Sequence, residues 1–170
     1  MQSQALQDEA SWQSVTWPDG TSYEGLVKGE MCHVRGVSNF ADGDRYEGEF
    51  LDNQKYGLGV YFWHDGTSYR GVWQQDKMHG CGIKLSCDDS GNSATQAGLF
   101  LDDDFAGASS VCDVPAAKQA AQQALWAANL ACGLESQLKA DKLDASQTRL
   151  HERSSRISHT DAFKQRHVSS

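Results

Sequence analysis

Residues 46–71 read YEGEFLDNQKYGLGVYFWHDGTSYRG, and their alternation decides the fold. In Tyr46-Glu47-Gly48-Glu49-Phe50 a strand puts Tyr46, Gly48 and Phe50 on one face and both glutamates on the other. The run Gly59-Val60-Tyr61-Phe62-Trp63 is β-branched and aromatic, the side chains that suit a pleated surface. Asp65-Gly66 follows, a strong short-range hairpin signal, because glycine accepts the positive φ of a type I′ turn. Then the pattern restarts: Tyr69-Arg70-Gly71 repeats Tyr46-Glu47-Gly48 at a spacing of 23.

The register extends in both directions. Tyr23-Glu24-Gly25 stands 23 residues earlier, and Asp-Gly lies four positions ahead of each tyrosine, at Asp19-Gly20, Asp42-Gly43 and Asp65-Gly66. Gly57/Gly59 and Gly80/Gly82 occupy equivalent places, and the first copy keeps Gly36 with Val34 in the earlier slot. Four residues after each tyrosine the side chain is apolar: Val27, Phe50, Trp73. A fourth copy follows a short insertion, with Gln96 in the tyrosine slot and Gly98, Phe100 and Gly107 in register. Val15-Thr16-Trp17-Pro18 reads as the last strand of an incomplete leading copy. Glycine normally weakens a strand; at this fixed phase it is expected to make room for the neighbouring copy's ring. A lone hairpin cannot bury its own face, so the copies must stack.

Tyr-x-Gly, an aromatic two residues on, His-Gly-x-Gly and a closing Asp-Gly resemble the MORN (membrane occupation and recognition nexus) repeat. Tyr69-Arg70-Gly71-Val72-Trp73 through His79-Gly80-Cys81-Gly82 is the best copy, and the resemblance covers about residues 15–109. It implies a mainly β fold, an elongated single-layer antiparallel β-hairpin array, used as a scaffold or for docking partner helices along an aromatic groove.

Beyond the repeats, Asp113-Val114-Pro115 opens a helix, with aspartate as N-cap and proline in the first turn. Ala117, Ala121, Ala124, Ala128, Ala131 and Leu138 follow at helical spacing, and Leu125, Trp126 and Leu130 widen the apolar arc. This helix is expected to cover the open end of the sheet; the sharper alternative is that it docks on a partner or in the groove of a second copy. The expected organisation is a disordered N-terminus over 1–11, a MORN-repeat β domain over 12–109, one α-helix over 113–143 and a disordered polar tail over 144–170, where isolated apolar residues cannot form a core.

Charge is unevenly spread. Residues 1–113 hold 7 Lys/Arg against 18 Asp/Glu, whereas 139–170 hold 7 against 4. An acidic body has the wrong sign for nucleic acid and for anionic lipid, so no nucleic acid is expected and membrane contact should be weak and confined to the basic tail. Cys32, Cys81, Cys87, Cys112 and Cys132 are odd in number and follow no framework spacing, which suits a reducing compartment. Met1–Ala10 lacks both the charged and the apolar region of a secretory leader.

Cys32-His33 and His79-Gly80-Cys81 raise the question of a metal, but both histidines sit ten residues after their tyrosines, a repeat slot, and no C-x-x-C occurs. No nucleophile elbow, phosphate loop or dinucleotide fingerprint is present. The expectation is therefore no enzyme, no metal and no cofactor. The expected function is a scaffold that binds a partner protein, a helix by preference, through Tyr23, Tyr46, Phe50, Tyr61, Trp63, Tyr69 and Trp73. A homodimer is among the expected partners, because free monomers of open sheets are uncommon. The expected setting is cytoplasmic, cytoskeletal or ciliary. The alternatives are a subunit of a plastid-envelope protein-import complex, to which residues 96–132 are loosely similar, and a phospholipid-binding tethering module.

Overall fold

The computed structural model describes residues 10–87 and 93–165, with residues 87, 138 and 141–165 described by their backbone alone. Among the described residues nine strands follow one another: β1 (Ser11–Thr16), β2 (Ser22–Lys28), β3 (Met31–Asn39), β4 (Arg45–Leu51), β5 (Gln54–Phe62), β6 (Ser68–Gln74), β7 (Lys77–Cys87), β8 (Ser93–Leu101) and β9 (Asp104–Gly107). They form one open antiparallel sheet in sequence order. The expected disordered N-terminus falls mostly on residues 1–9, outside the described residues, and β1 begins at Ser11.

The 23-residue period becomes two straight lines across the sheet. Gly25, Gly36, Gly48, Gly59, Gly71, Gly82 and Gly98 pair in succession, so a seam of glycine crosses seven strands. Beside it Tyr23, Ser38, Tyr46, Tyr61, Tyr69, Lys84 and Gln96 pair in the same way, which bears out the register of the fourth copy. The glycines do clear space for rings, but not for a neighbour's. Tyr46 lies on Gly48 and Gly59, and Tyr69 on Gly71 and Gly82, within their own copies, where any Cβ would overlap the phenol. Each ring folds back over its own strand, and its hydroxyl donates to a carbonyl three residues on: Leu26 at 2.9 Å, Glu49 at 2.9 Å and Val72 at 3.0 Å. The bulge beyond each glycine turns that carbonyl toward the hydroxyl.

The turns also differ from the expectation. At the Asp-Gly positions only the glycine has positive φ, +93° at Gly20, +94° at Gly43 and +87° at Gly66. These are longer loops, closed by the aspartate side chain accepting the N–H two residues on, as in Asp65 Oδ1 to Thr67 N at 2.8 Å. The left-handed pairs that define type I′ turns are Asp52-Asn53, Gln75-Asp76 and Asp102-Asp103, without glycine. Asn and Asp tolerate this region better than most residues because their short polar side chains find local hydrogen bonds. Here they reach the preceding copy: Cys32 N–H donates to Asn53 Oδ1 at 2.7 Å, Lys55 to Asp76 at 2.9 Å and Met78 to Asp103 at 2.9 Å.

α1 (Val114–Gln165) is capped as expected, with Ala116 N–H donating to Asp113 Oδ1 at 2.8 Å. The chain divides into two units, Met1–Glu135 and Ser136–Ser170. Within the first, Ala117, Ala120, Ala121, Ala124, Ala127, Ala128 and Ala131 are buried at i, i+3, i+4, i+7 spacing. Ala124 and Ala128 pack on Val60 with Leu58, Phe62 and Leu125. The helix therefore covers a face of the sheet and not its open end. The small alanine methyls permit close approach, and that face offers Val60 where the opposite one is already filled by rings. Trp126, expected in the apolar arc, is 63% exposed. In the second unit the helical backbone continues to Gln165, past the expected helix end at residue 143. Residues 144–165 contain neither proline nor glycine to interrupt it. Among the described residues, no helix is long and apolar enough to cross a membrane.

Cys81 on β7 and Cys112, just ahead of α1, form a disulfide with Cα atoms 5.6 Å apart. The cysteine spacing offers no sign of this pair; folding brings together two residues separated by 31 positions.

Candidate functional site

The two faces of the sheet differ in what fills them. On the helix-covered face, Arg45 binds Glu47 at 2.6 Å and reaches Glu135 of α1 at 3.3 Å. Arg45 Nη2 also donates to Cys132 Sγ at 3.5 Å. Burial, with Glu47 beside it, pushes the Cys132 thiol up. The face carrying the predicted aromatic residues is built differently.

Its floor is a ladder of rings. Phe50 stands edge-on to Tyr23 and Tyr46, at 5.1 Å from each centroid. Trp73 stands edge-on between Tyr46 and Tyr69, at 5.4 and 5.2 Å, and Phe100 completes the row 4.9 Å from Tyr69. Such pairs contribute about 0.5–1.5 kcal/mol each beyond their buried area. Trp73 Nε1–H donates to Gly59 O at 3.2 Å, so its polar atom is satisfied. Burial raises the Tyr23, Tyr46 and Tyr69 phenols well above their ordinary range.

This geometry separates the seven predicted contact residues. Tyr23, Tyr46, Phe50, Tyr69 and Trp73 are buried core. Tyr61 and Trp63 are half-buried on top of that core, joined by Phe40. Tyr61 lies 4.6 Å from Trp63 and 5.8 Å from Phe40, centroid to centroid. Its hydroxyl donates to Asp44 at 2.8 Å, and Asp44 also accepts the His64 N–H at 2.8 Å. Desolvation opposes charge on Asp44, but these hydrogen bonds and the His64 ring outweigh it and hold the carboxyl below its usual range. The reciprocal effect, led by the hydrogen bond to Asp44, raises His64.

Sequence reasoning missed two members of the surface row, Trp17 and Phe40. Trp17, Phe40 and Trp63 each stand six residues before a repeat tyrosine, and that spacing could have found them. Trp17 is 40% exposed. Lys55 was missed as well. Its ammonium lies 5.2 Å from the Tyr61 centroid, 5.4 Å from Trp73, 5.6 Å from Phe40 and 6.0 Å from Tyr46, within cation–π range of all four. Asp76 pairs with it at 3.4 Å.

The residues considered for a metal are spread over the fold. His33 faces Asp52 at 3.7 Å and His79 faces Asp102 at 3.5 Å, equivalent pairs in two copies. Cys32 is buried, which pushes its thiol up to about 11. Among the described residues no three His, Cys, Asp or Glu side chains are grouped to hold an ion.

No curated protein matches the chain. The MORN repeat family matches residues 23–45, 46–68 and 69–90, the three copies that place Tyr23, Tyr46 and Tyr69 on their glycine pairs. Residues 23–90 are therefore three consecutive MORN repeats.

Proposed function

We propose that this chain is a non-catalytic scaffold that docks a helical segment of a partner protein on its ring-bearing face. One observation carries the reading: the chain's own helix covers one face of the sheet, while Trp17, Phe40, Tyr61 and Trp63 remain accessible on the other. The buried ladder beneath them is rigid and satisfied, so the row above is pre-organised and loses little entropy on binding. Aromatic side chains in such rows are the usual energetic anchors of interfaces. The five buried members of the original seven act as the support of this surface and not as its contacts.

The test is affinity for a partner recovered by proximity labelling with the full chain. Trp17→Ala with Trp63→Ala should weaken binding by about 2 kcal/mol, roughly 30-fold, while Trp126→Ala on the helix leaves it unchanged. Binding insensitive to the double variant, in a protein that still melts cooperatively, would count against the reading.

A further inference from the structure

The Lys55 cage has equivalents in the flanking copies, because the repeat is regular. Shifting Phe40, Tyr46, Tyr61, Trp73 and Lys55 by one period toward the N-terminus gives Trp17, Tyr23, Ser38, Phe50 and Cys32. The Asp76 position becomes Asn53. Trp17, Ser38, Phe50, Cys32 and Asn53 line one cavity of about 380 Å3, together with Phe40, Asp19 and Glu30. That volume is within the range of small-ligand sites. The cavity exists because two fillers are missing. Cys32 is too short to do what Lys55 does one copy on, and Ser38 stands where Tyr61 would close the wall.

The next copy forward shows the same requirement met in another way. Met78 is buried in the Lys55 position, and Lys84, in the Tyr61 position, holds its ammonium 5.1 Å from the Trp63 centroid. The chain thus supplies a lysine to Phe40 and another to Trp63, whereas the two equivalent positions beside Trp17 are uncharged. We propose that the cavity between Trp17 and Phe50 binds the ammonium of a lysine side chain carried by a partner, in the manner of Lys55 in the neighbouring copy. Charge supports that occupant: Asp19, Glu30 and Asp76 all line the cavity. Lys55 forms the far wall, but its charge is matched by Asp76. An ammonium entering here meets the Trp17, Phe40 and Phe50 rings and two further carboxylates, a combination that favours a cation over a neutral or anionic group.

The inference rests on the reading of this face as a docking surface, yet the test does not need the partner. n-Butylammonium, which is the lysine side chain itself, is titrated into the full-length protein while the Trp17 indole N–H and Thr21 amide resonances are followed, with n-butanol as the uncharged control. The expected result is a saturable shift at both resonances with n-butylammonium and none with n-butanol. Cys32→Lys and Cys32→Met place in this copy the residues that the next two already carry, and should abolish saturation. Should either variant fold poorly, Asp19→Asn with Glu30→Gln, at two exposed positions, should raise the half-saturating concentration about fivefold. No saturable shift, an equal response to n-butanol, or a response unchanged in the carboxylate variant overturns the lysine site. A partner that still binds through Trp63 in that event leaves the docking surface standing and removes only the pocket.

Discussion

The two faces of this sheet share every strand and every backbone hydrogen bond, yet they are completed by opposite means. On one, each of the three copies that begin with tyrosine folds that ring onto its own glycine pair, and Phe50, Trp73 and Phe100 fill the spaces between. On the other, Val60 and its neighbours are buried by α1, a segment far away in sequence. One face is built by local contacts within and between adjacent copies. The other depends on a docked helix, a disulfide and the Arg45–Glu135 ion pair. The comparison teaches that a repeat can close one of its faces by sequence alone, and that what covers its other face is a separate decision.

The largest effect should come from breaking the self-completed face. Tyr46→Ala removes a fully buried ring in contact with Phe50 and Trp73, and should cost about 3–5 kcal/mol in urea unfolding. If the copies are as coupled as the ladder indicates, the whole sheet should lose cooperativity. The helix-covered face should break more gently. Cys112→Ser opens a link spanning 31 residues and should cost about 3 kcal/mol, with faster amide exchange at the start of α1 but not at β4. Smaller again is Ala128→Leu, which forces a larger side chain against Val60 and should cost about 1–3 kcal/mol by thermal melting. The near-ultraviolet signal of Tyr23, Tyr46, Tyr61 and Tyr69 should stay that of the wild type, since these rings lie on the other face.

The smallest effect concerns the support of Tyr61. His64 has a raised pKa in the folded state, so its contribution is complete below about pH 6.5 and fades as pH rises through the folded value. Asp44 is shifted the other way. Its contribution is present above about pH 3.8 and fades as pH falls through its depressed folded value. Melting temperature should therefore decline slightly as pH rises above about 6.5, and His64→Ala should remove that slope.

What the sequence revealed follows this division. Alternation and the 23-residue period are local properties, so strand order, register and the degenerate copy at Gly98 and Phe100 could be read directly. The seam of glycine was legible too, although not whose ring it admits, since that depends on how the tyrosine χ angles fold back over the strand. The site was only partly legible. Tyr69 and Trp63 are both aromatic residues at repeat positions, and depth, which separates them, is a property of the packed sheet. The true type I′ turns were hidden because Asp-Asn, Gln-Asp and Asp-Asp carry no glycine. The Cys81–Cys112 pairing and the helix's choice of face are long-range, and no spacing encodes them.

The side-chain carboxamide or carboxylate that links each copy to the previous one has a further consequence. At every joint the bond is reciprocal: Asn53 N–H donates back to Cys32 O at 3.0 Å, Asp76 to Lys55 at 3.1 Å and Asp103 to Met78 at 3.0 Å. Three joints of the same construction, using nothing but the adjoining units, make the boundary interchangeable. A block of 23 residues could be spliced in or removed between any two of them with both new ends still matching. Length is thus a free parameter of this architecture, and the number of aromatic positions offered to a partner can change in whole steps without redesign of a single joint.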